Sequence, residues 1–192
     1  MSDDWIPPGL DTDNVSLENW EFIYANGGWL EQGSGPGSTI ANNSELITWM
    51  TNFISTNSCS SIIDIGCGEM QWTSQILSND ITYTGIDWVS SIYNTKKNTY
   101  PAYTFLTEDF ASSGFSHSGT YDLLICKDIL QHAYDDVDQI FSNIENINAT
   151  HKMIIIPEVR DDLFQSKTTG GGYTLATMVT SDEEKNIYVK SI

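Results

Sequence analysis

Short apolar runs, rich in β-branched side chains, recur along this chain and alternate with segments of helical periodicity. Five of these runs predict β-strands: 62–65, 81–86, 102–106, 121–126 and 153–156. Because each run is separated from the next by enough residues for a crossover, the alternation predicts a parallel sheet with right-handed connections.

Apolar residues at helical spacing predict three helices. The first, residues 17–24, can be capped by Ser16 and carries several aromatic side chains, the second follows Ser44, and the third covers residues 135–146. The first helix either covers a ligand pocket or packs on the core, and the pattern leaves both interpretations open. A helix-compatible segment around Trp72 also follows the first strand.

Beyond the fifth strand the pattern changes. Few apolar residues fall in 158–169, so we expect a loop or a single turn there. The two apolar runs 173–179 and 186–192 flank a turn at 181–184 and predict a terminal β-hairpin.

At 192 residues the chain has the size of one α/β domain, which buries roughly 70% of its unfolded surface. Residues 1–15 are acidic, and we expect a mobile or loosely docked tail there. The single domain is expected to span 16–192, with the first helix and a Gly/Ser-rich loop in residues 16–40.

The charge is strongly one-sided, with 26 acidic against 8 basic residues and a net charge of −18. Nucleic-acid partners are therefore disfavoured, because their affinity comes mainly from Lys and Arg on phosphates. Three cysteines without a metal-binding spacing predict reduced thiols in a cytoplasmic protein and no metal site. No apolar run is long enough to predict a membrane span.

A Gly-rich turn, Gly66-Cys67-Gly68, ends the first strand and is typical of sites where a backbone approaches a nucleotide-like ligand closely. The third glycine of a dinucleotide fingerprint is missing, since Gln71 stands in its place, and this disfavours a pyrophosphate cradle. An acid at the end of the next strand, Asp87, lies at a distance suited to binding the two hydroxyls of a ribose.

Four segments in this order resemble the class I S-adenosylmethionine-dependent methyltransferases: D-I-G-C-G at 64–68, G-I-D at 85–87, E-D-F at 108–110 and Y-D-L-L-I-C-K-D-I-L-Q-H at 121–132. The resemblance covers roughly residues 45–157. It implies an α/β, Rossmann-like fold with a mostly parallel, twisted sheet and a terminal hairpin at one edge. The stretch 20–38, which ends in G-S-G-P-G-S, is similar to the leader of a small uncharacterised subgroup of these enzymes.

The resemblance also implies roles for individual residues around the cofactor, S-adenosylmethionine. Those expected to contact its methionine part are Gly66, Cys67 and Gly68, with Asp64 at its ammonium group. Those expected at the nucleoside are Asp87 on the ribose, Trp88 beside the adenine, and Asp109 with Phe110 on the adenine amine and ring. Lys127 is expected to meet the cofactor carboxylate or a substrate anion. The 33–38 loop, through Gly35 and Ser38, either closes over that carboxylate with its N–H groups or is only a linker.

Asp128 and His132 are spaced i, i+4, so on a helix they would share a face. His132 beside a carboxylate is a candidate general base, and the alternative is a structural histidine hydrogen-bonded under the first helix and the Gly/Ser-rich loop. Glu158 is a further candidate for contacting substrate, and Trp29 and Trp72 are expected either in the pocket wall or in the core.

The resemblance thus implies methyl transfer to an O or N nucleophile of an unidentified acceptor, and we expect either a small molecule or an exposed sugar or peptide group. Orientation supplies much of the rate in such a displacement, so no covalent residue is required. One alternative is a protein that binds the cofactor without transfer, as a regulatory or decoy subunit. Another, a nicotinamide-dependent oxidoreductase, is disfavoured by the missing glycine.

Overall fold

A computed structural model describes residues 10–27, 29, 33–158, 165, 170–179 and 184–192. A seven-stranded sheet runs through it in the order β3-β2-β1-β4-β5-β7-β6. The strands are β1 Ser61–Ile65, β2 Thr82–Asp87, β3 Thr104–Thr107, β4 Thr120–Lys127, β5 Asn148–Pro157, β6 Thr174–Val179 and β7 Lys185–Ser191. The first five pair in parallel, and β7 is antiparallel to both β5 and β6. The predicted mostly parallel sheet with a terminal hairpin is confirmed.

The α-helices whose bounds lie within the described residues are α1 Leu17–Ala25, α2 Ser44–Thr56, α3 Ser90–Thr99 and α4 Val137–Asn146. Ser16 caps α1 as predicted, because its Oγ accepts a hydrogen bond from the N–H of Asn19 at 3.3 Å. At α2 the N-cap is Asn43, and Ser44 is the first helical residue. Helix α4 begins two residues later than predicted.

The helix-compatible segment after β1 does not form an α-helix. A single 3-10 turn, Thr73–Gln75, is the only helical structure between β1 and β2. Met70 has a φ of 56°, in the left-handed region, and this breaks the chain direction before a helix can start. Trp72 and Ile76 are buried in the core instead, so their apolar character reflects packing rather than a helix face.

Both faces of the sheet are covered, which explains why the central strands are continuously apolar. In β1, Ile62 belongs to the core cluster on the face that α2 covers, through Leu46 and Met50. Ile63, its neighbour, belongs to the cluster on the face that α4 covers. The carboxyl ends of the parallel strands are thereby fixed along one side of the domain.

The terminal hairpin is fastened to α4 through Glu145 at the end of that helix. The Glu145 carboxylate accepts hydrogen bonds from Tyr173 Oη at 3.0 Å and from Lys190 Nζ at 2.6 Å, and the Glu145 carbonyl accepts one from Lys152 Nζ at 2.7 Å. Strand β6 forms an outer edge of the sheet, and Leu175 on it is exposed.

Part of the predicted tail is docked. Residues 11–15, which we call the N-terminal strap, lie against the loop that follows β4. The N–H of Val15 donates to the carbonyl of His132 at 3.0 Å, and the N–H of Tyr134 donates to the carbonyl of Asp13 at 3.0 Å. Val15 is buried. Residues 1–9, and 159–169 apart from residue 165, lie outside the described residues, so the remaining expectations for the tail and for 158–169 stay predictions.

Candidate active site

A cavity of about 700 Å³ opens at the carboxyl ends of the parallel strands. Its walls come from the turn after β1, the ends of β2, β3 and β4, the 33–38 loop and the N-terminal strap. Sheet order reverses between β1 and β4, which is where ligands bind in open α/β sheets. The volume lies in the range of roughly 300–1,000 Å³ typical of small-molecule sites.

Glycine is required on both sides of Cys67. Gly66 and Gly68 have φ values of 69° and 49°. A Cβ on Gly66 would lie 2.0 Å from Ile129 Cδ1, and one on Gly68 would lie 2.3 Å from Ser34 Oγ. Cys67 itself is buried, and burial raises the pKa of its thiol, so it is a packing residue and not a nucleophile.

Asp64 is a buried carboxylate at the end of β1 that lines the cavity. It accepts hydrogen bonds from Tyr83 Oη at 2.7 Å and from Thr73 Oγ1 at 3.2 Å. Burial raises its pKa to about 7, and the two hydrogen bonds oppose the shift. At neutral pH the group is therefore poised to take on negative charge when a cation arrives.

This pKa predicts how stability depends on pH. An acid whose pKa is higher in the folded than in the unfolded state contributes stability that is complete below pH ~4 and is lost as pH rises through about 7. Between pH 5 and 8, Asp64→Asn should therefore lose less stability than the parent protein. Urea denaturation at both pH values measures the difference, and equal pH slopes in the two proteins would contradict the expectation.

Asp87, at the end of β2, is held in place by the turn that it faces. Its Oδ2 accepts from the N–H of Gly68 at 2.8 Å, and its Oδ1 accepts from the N–H of Val89 at 3.0 Å. Burial raises its pKa, while these backbone hydrogen bonds oppose the shift. A carboxylate has about four acceptor positions, so this geometry orients Asp87 and leaves capacity for hydroxyl donors.

The predicted adenine residues lie together on the same wall of the cavity. Trp88, Asp109 and Phe110 all line it. Asp109 Oδ1 accepts from the N–H of Ala111 at 2.9 Å, and Phe110 packs against Phe115 with ring centroids 4.6 Å apart. An anchored acid beside a buried aromatic ring can accept from an exocyclic amine and cover a purine face.

The 33–38 loop packs directly on the turn after β1. Ser34 Oγ accepts from the N–H of Glu69 at 2.8 Å and is hydrogen-bonded to Tyr24 Oη at 3.0 Å. Gly35 and Ser38 line the cavity, as does Ser34. Ser34 and Tyr24 were not among the individual residues predicted at the cofactor, although both lie in the stretch that resembles the subgroup leader. The loop contacts favour a covering role over a linker.

Two lysines and one aspartate form a charge cluster beside the cavity. Lys127 Nζ pairs with Asp128 and donates to the carbonyl of Gly37 at 2.8 Å. Lys185 Nζ lies 2.9 Å from each carboxylate oxygen of Asp128. Burial opposes ionisation of Asp128, but the two ammonium groups lower its pKa to about 2, and burial lowers the pKa of Lys127. Lys185 was missed by the sequence, because β5–β7 pairing brings it here from the terminal hairpin.

The helix on which Asp128 and His132 would share a face does not form, and that expectation was wrong. Asp128 has a φ of 56° and precedes a 3-10 turn, Leu130–His132, so the two residues do not share a helix face. The Asp128 carboxylate is bound by the lysines. His132 Nδ1 lies 2.8 Å from the carbonyl of Thr12, and since that oxygen can only accept, Nδ1 carries a proton.

Around His132 the aromatic side chains of the N-terminal region close one end of the cavity. Trp20, Trp29 and His132 all line it, with ring centroids 5.3 to 5.5 Å apart. Trp20 also packs against the core, so α1 combines both of the roles left open by its sequence. Trp72 is buried and lines the cavity, with Lys127 Nζ 5.7 Å from its ring centroid.

Glu158 does not belong to the cavity. It is exposed, its N–H donates to the carbonyl of Glu184 at 2.7 Å, and the wall of the cavity ends at Pro157. Within the described residues, no group of three or more His, Cys, Asp and Glu side chains is placed to hold a metal ion. None of the helices described here is long and apolar enough to cross a membrane.

The segments that form this cavity are similar to known proteins. A family model described as a methyltransferase domain matches residues 63–155, which include the turn after β1 and the ends of β2, β3 and β4. No curated protein sequence matches the chain.

Several solved structures share the fold at low sequence identity. Magnesium protoporphyrin IX methyltransferase from Synechocystis PCC 6803, with bound SAM, is 16% identical with a TM-score of 0.60, over 77% of this chain and 78% of that one. A TehB-like SAM-dependent methyltransferase from Corynebacterium glutamicum is 16% identical with a TM-score of 0.60, over 74% and 87%. An rRNA methylase from Escherichia coli is 14% identical with a TM-score of 0.61, over 79% and 65%.

Proposed function

We propose that this chain, a class I S-adenosylmethionine-dependent methyltransferase by its domain match and its fold, moves a methyl group to an O or N nucleophile of an acceptor. The acceptor is a small molecule or an exposed sugar or peptide group. The observation that supports the proposal is that every predicted cofactor residue lines one cavity, together with His132. The neighbours named above differ in acceptor, so they support the fold and not the choice of substrate.

The residues present fit the cofactor on chemical grounds. Asp87 offers a charged acceptor to ribose hydroxyls, Asp64 offers one to an ammonium group, and Asp109 with Phe110 offers an acceptor beside an aromatic face. At Gly66 and Gly68 a Cβ would collide with Ile129 and Ser34, so glycine lets these side chains pack closely around the turn proposed to meet the cofactor. The bound cofactor supplies an electrophilic methyl group on a sulfonium, which is also a good leaving group.

The protein then contributes orientation and the exclusion of water. The 33–38 loop is tied to β4 by the hydrogen bond from Lys127 to Gly37, and the N-terminal strap is tied to the loop after β4. Together they cover the cavity from two directions. Holding the nucleophile and the methyl group in line in this way can supply roughly 7–11 kcal/mol of a barrier.

Calorimetric titration of the purified chain tests the proposal. We expect micromolar binding of S-adenosylmethionine and of S-adenosylhomocysteine, and no binding of reduced nicotinamide dinucleotide. An acceptor screen then follows the formation of S-adenosylhomocysteine. Absence of binding by either sulfur ligand would reject the proposal, and binding without transfer to any acceptor would favour the binding-only alternative.

A substitution of His132 distinguishes methyl transfer from cofactor binding without transfer. If His132 Nε2 removes a proton from the acceptor, His132→Ala should lower kcat by about 10²–10⁴-fold. The affinity for S-adenosylmethionine should change little, because the cofactor is expected on the opposite side of the cavity. His151→Ala, in β5 outside the cavity, is the matched control. Equal kcat in both variants would make His132 structural.

Cys59, Cys67 and Cys126 are all buried free thiols, which supports a reducing, cytoplasmic setting. Nucleic-acid acceptors remain disfavoured because few positive charges are available to bind phosphates. All but two of the lysines in the described residues are buried, and the buried ones are Lys96, Lys127, Lys152 and Lys185.

A further inference from the structure

Gln131 carries a buried polar atom that the fold does not satisfy. The side chain is 8% exposed and lines the cavity. Within the described part of the chain, its Oε1 is buried and has no hydrogen-bond partner. A buried acceptor left in this state costs roughly 1–3 kcal/mol, so an atom of this kind at a cavity wall indicates a donor supplied by a ligand.

The position of Gln131 assigns it to the acceptor half of the cavity. It lies on the 3-10 turn after β4, and the buried side chain of Leu130 anchors that turn in the core. The predicted cofactor residues lie mainly at the ends of β1, β2 and β3, on the other side of the β1/β4 switch point. The oxygen of Gln131 is therefore placed to meet the methyl acceptor and not the nucleoside.

The charges around Gln131 indicate that the hydrogen-bond donor supplied by the ligand is a cation. Among the described lining residues, seven carboxylates face the cavity against one lysine, Lys127, and that lysine is paired with Asp128. Asp135 and Asp136 lie on the same loop as Gln131 and are exposed at the rim of the cavity. With a net charge of −18 on the chain, the field at the entrance attracts cations.

We propose that Gln131, with Asp135 and Asp136, selects an alkylamine as the methyl acceptor, with the Gln131 Oε1 accepting a hydrogen bond from the amine nitrogen. This inference rests on the proposed methyltransferase function and narrows its acceptor to nitrogen. The carboxylates at the rim attract the ammonium form, and the amide oxygen orients the nitrogen inside. A free amine and a lysine side chain share this chemistry.

The atoms and electrons of the methyl transfer balance without a further reactant. The ammonium ion gives one proton to His132 Nε2, which releases it to bulk water, and the lone pair of the resulting amine forms the new N–C bond as the C–S bond breaks. The sulfur keeps the bonding electron pair. The products are an N-methylammonium ion and S-adenosylhomocysteine.

Matched probes test the choice of nucleophile with the full-length protein. 1,4-Diaminobutane is compared with butane-1,4-diol, and a lysine-containing basic peptide with the same peptide carrying serine at that position. We expect methylation of an amine probe, detected by mass spectrometry, and none of the diol or the serine peptide. The two amine arms distinguish a free amine from a polypeptide. Failure of cofactor binding by calorimetry rejects the proposed function itself, whereas cofactor binding with transfer only to hydroxyl probes, or to none, overturns this inference alone.

Variants of Gln131 separate recognition from structure. In Gln131→Met, which removes the acceptor atom at similar volume, kcat/KM for the amine should fall by at least about 10-fold, mainly through KM. Cofactor affinity should be unchanged and the melting temperature no lower than that of the parent. Gln131→Glu, which keeps an acceptor oxygen, should restore most of the activity. Unchanged kcat/KM in Gln131→Met, or a melting temperature several degrees lower, would show a structural role and overturn the inference.

Substitutions of the carboxylates at the rim of the cavity provide an independent test of the proposal. The double variant Asp135→Asn, Asp136→Asn should raise KM for the amine and weaken its dependence on ionic strength, since two attractive charges are lost. An unchanged salt dependence of KM would remove these residues from the proposal.

Discussion

Asp128→Asn should lower the free energy of unfolding by about 3–5 kcal/mol, because it leaves Lys127 and Lys185 buried without their shared counterion. Asparagine keeps the size of the side chain and tolerates the positive φ at this position, so the loss reports charge rather than strain. Urea denaturation at pH 7 measures it. Asp80→Asn, at an exposed turn, is the control and should change stability little.

The pH dependence of this loss has a definite sign. The pKa of Asp128 is lowered to about 2 in the folded protein, so its contribution to stability is present above pH ~4 and is lost as pH falls through about 2. The deficit of the variant should also shrink as pH rises toward the lowered pKa of Lys127, because a neutral Lys127 needs no counterion. A deficit that stays constant from pH 7 to 10 would show that Lys127 is not a charged partner of Asp128.

Asp87→Ala should weaken S-adenosylmethionine binding by about 2–4 kcal/mol, or roughly 30- to 1,000-fold, because two ribose hydroxyls lose a charged acceptor. The same variant frees the N–H groups of Gly68 and Val89, so part of the loss will come from a loosened turn. Asp87→Asn, which keeps one oxygen, should fall between the variant and the parent.

Calorimetry with S-adenosylmethionine measures the effect, with circular dichroism to confirm that each variant is folded. Asp80→Ala is the control, since Asp80 lies outside the cavity and is exposed. Unchanged affinity in Asp87→Ala would show that the nucleoside does not lie at the end of β2.

Much of the cavity wall at β1 and β2 could be predicted because its signals are local. A strand that ends in Gly66-Cys67-Gly68 places those glycines by its own pattern, and Asp87 needs only the next strand to run parallel. The wall near the end of β4 depends on contacts between distant segments. Lys185 reaches Asp128 only through the register of the terminal hairpin, which short apolar runs do not specify.

The errors have equally local causes. An i, i+4 spacing predicts a shared helix face, but Asp128 adopts a left-handed conformation that no periodicity reveals. Met70 does the same after β1 and removes a helix that the apolar spacing favoured. For the strap, the sequence left a mobile and a loosely docked tail open, because Val15 is the one buried anchor in an otherwise polar segment and a single apolar residue is too weak a signal to decide between them.

Among the described residues no further strand pairs with the outer side of β6, and Leu175 on it is exposed. An edge of this kind offers backbone groups to a strand from another molecule, which is a common start of aggregation. At neutral pH the charge of −18 keeps copies of the chain apart. Near pH 4 the carboxylates become protonated and that repulsion fades. The colloidal behaviour of this protein is therefore set by its acidic surface, which protects the β6 edge only above the pKa range of its carboxylates.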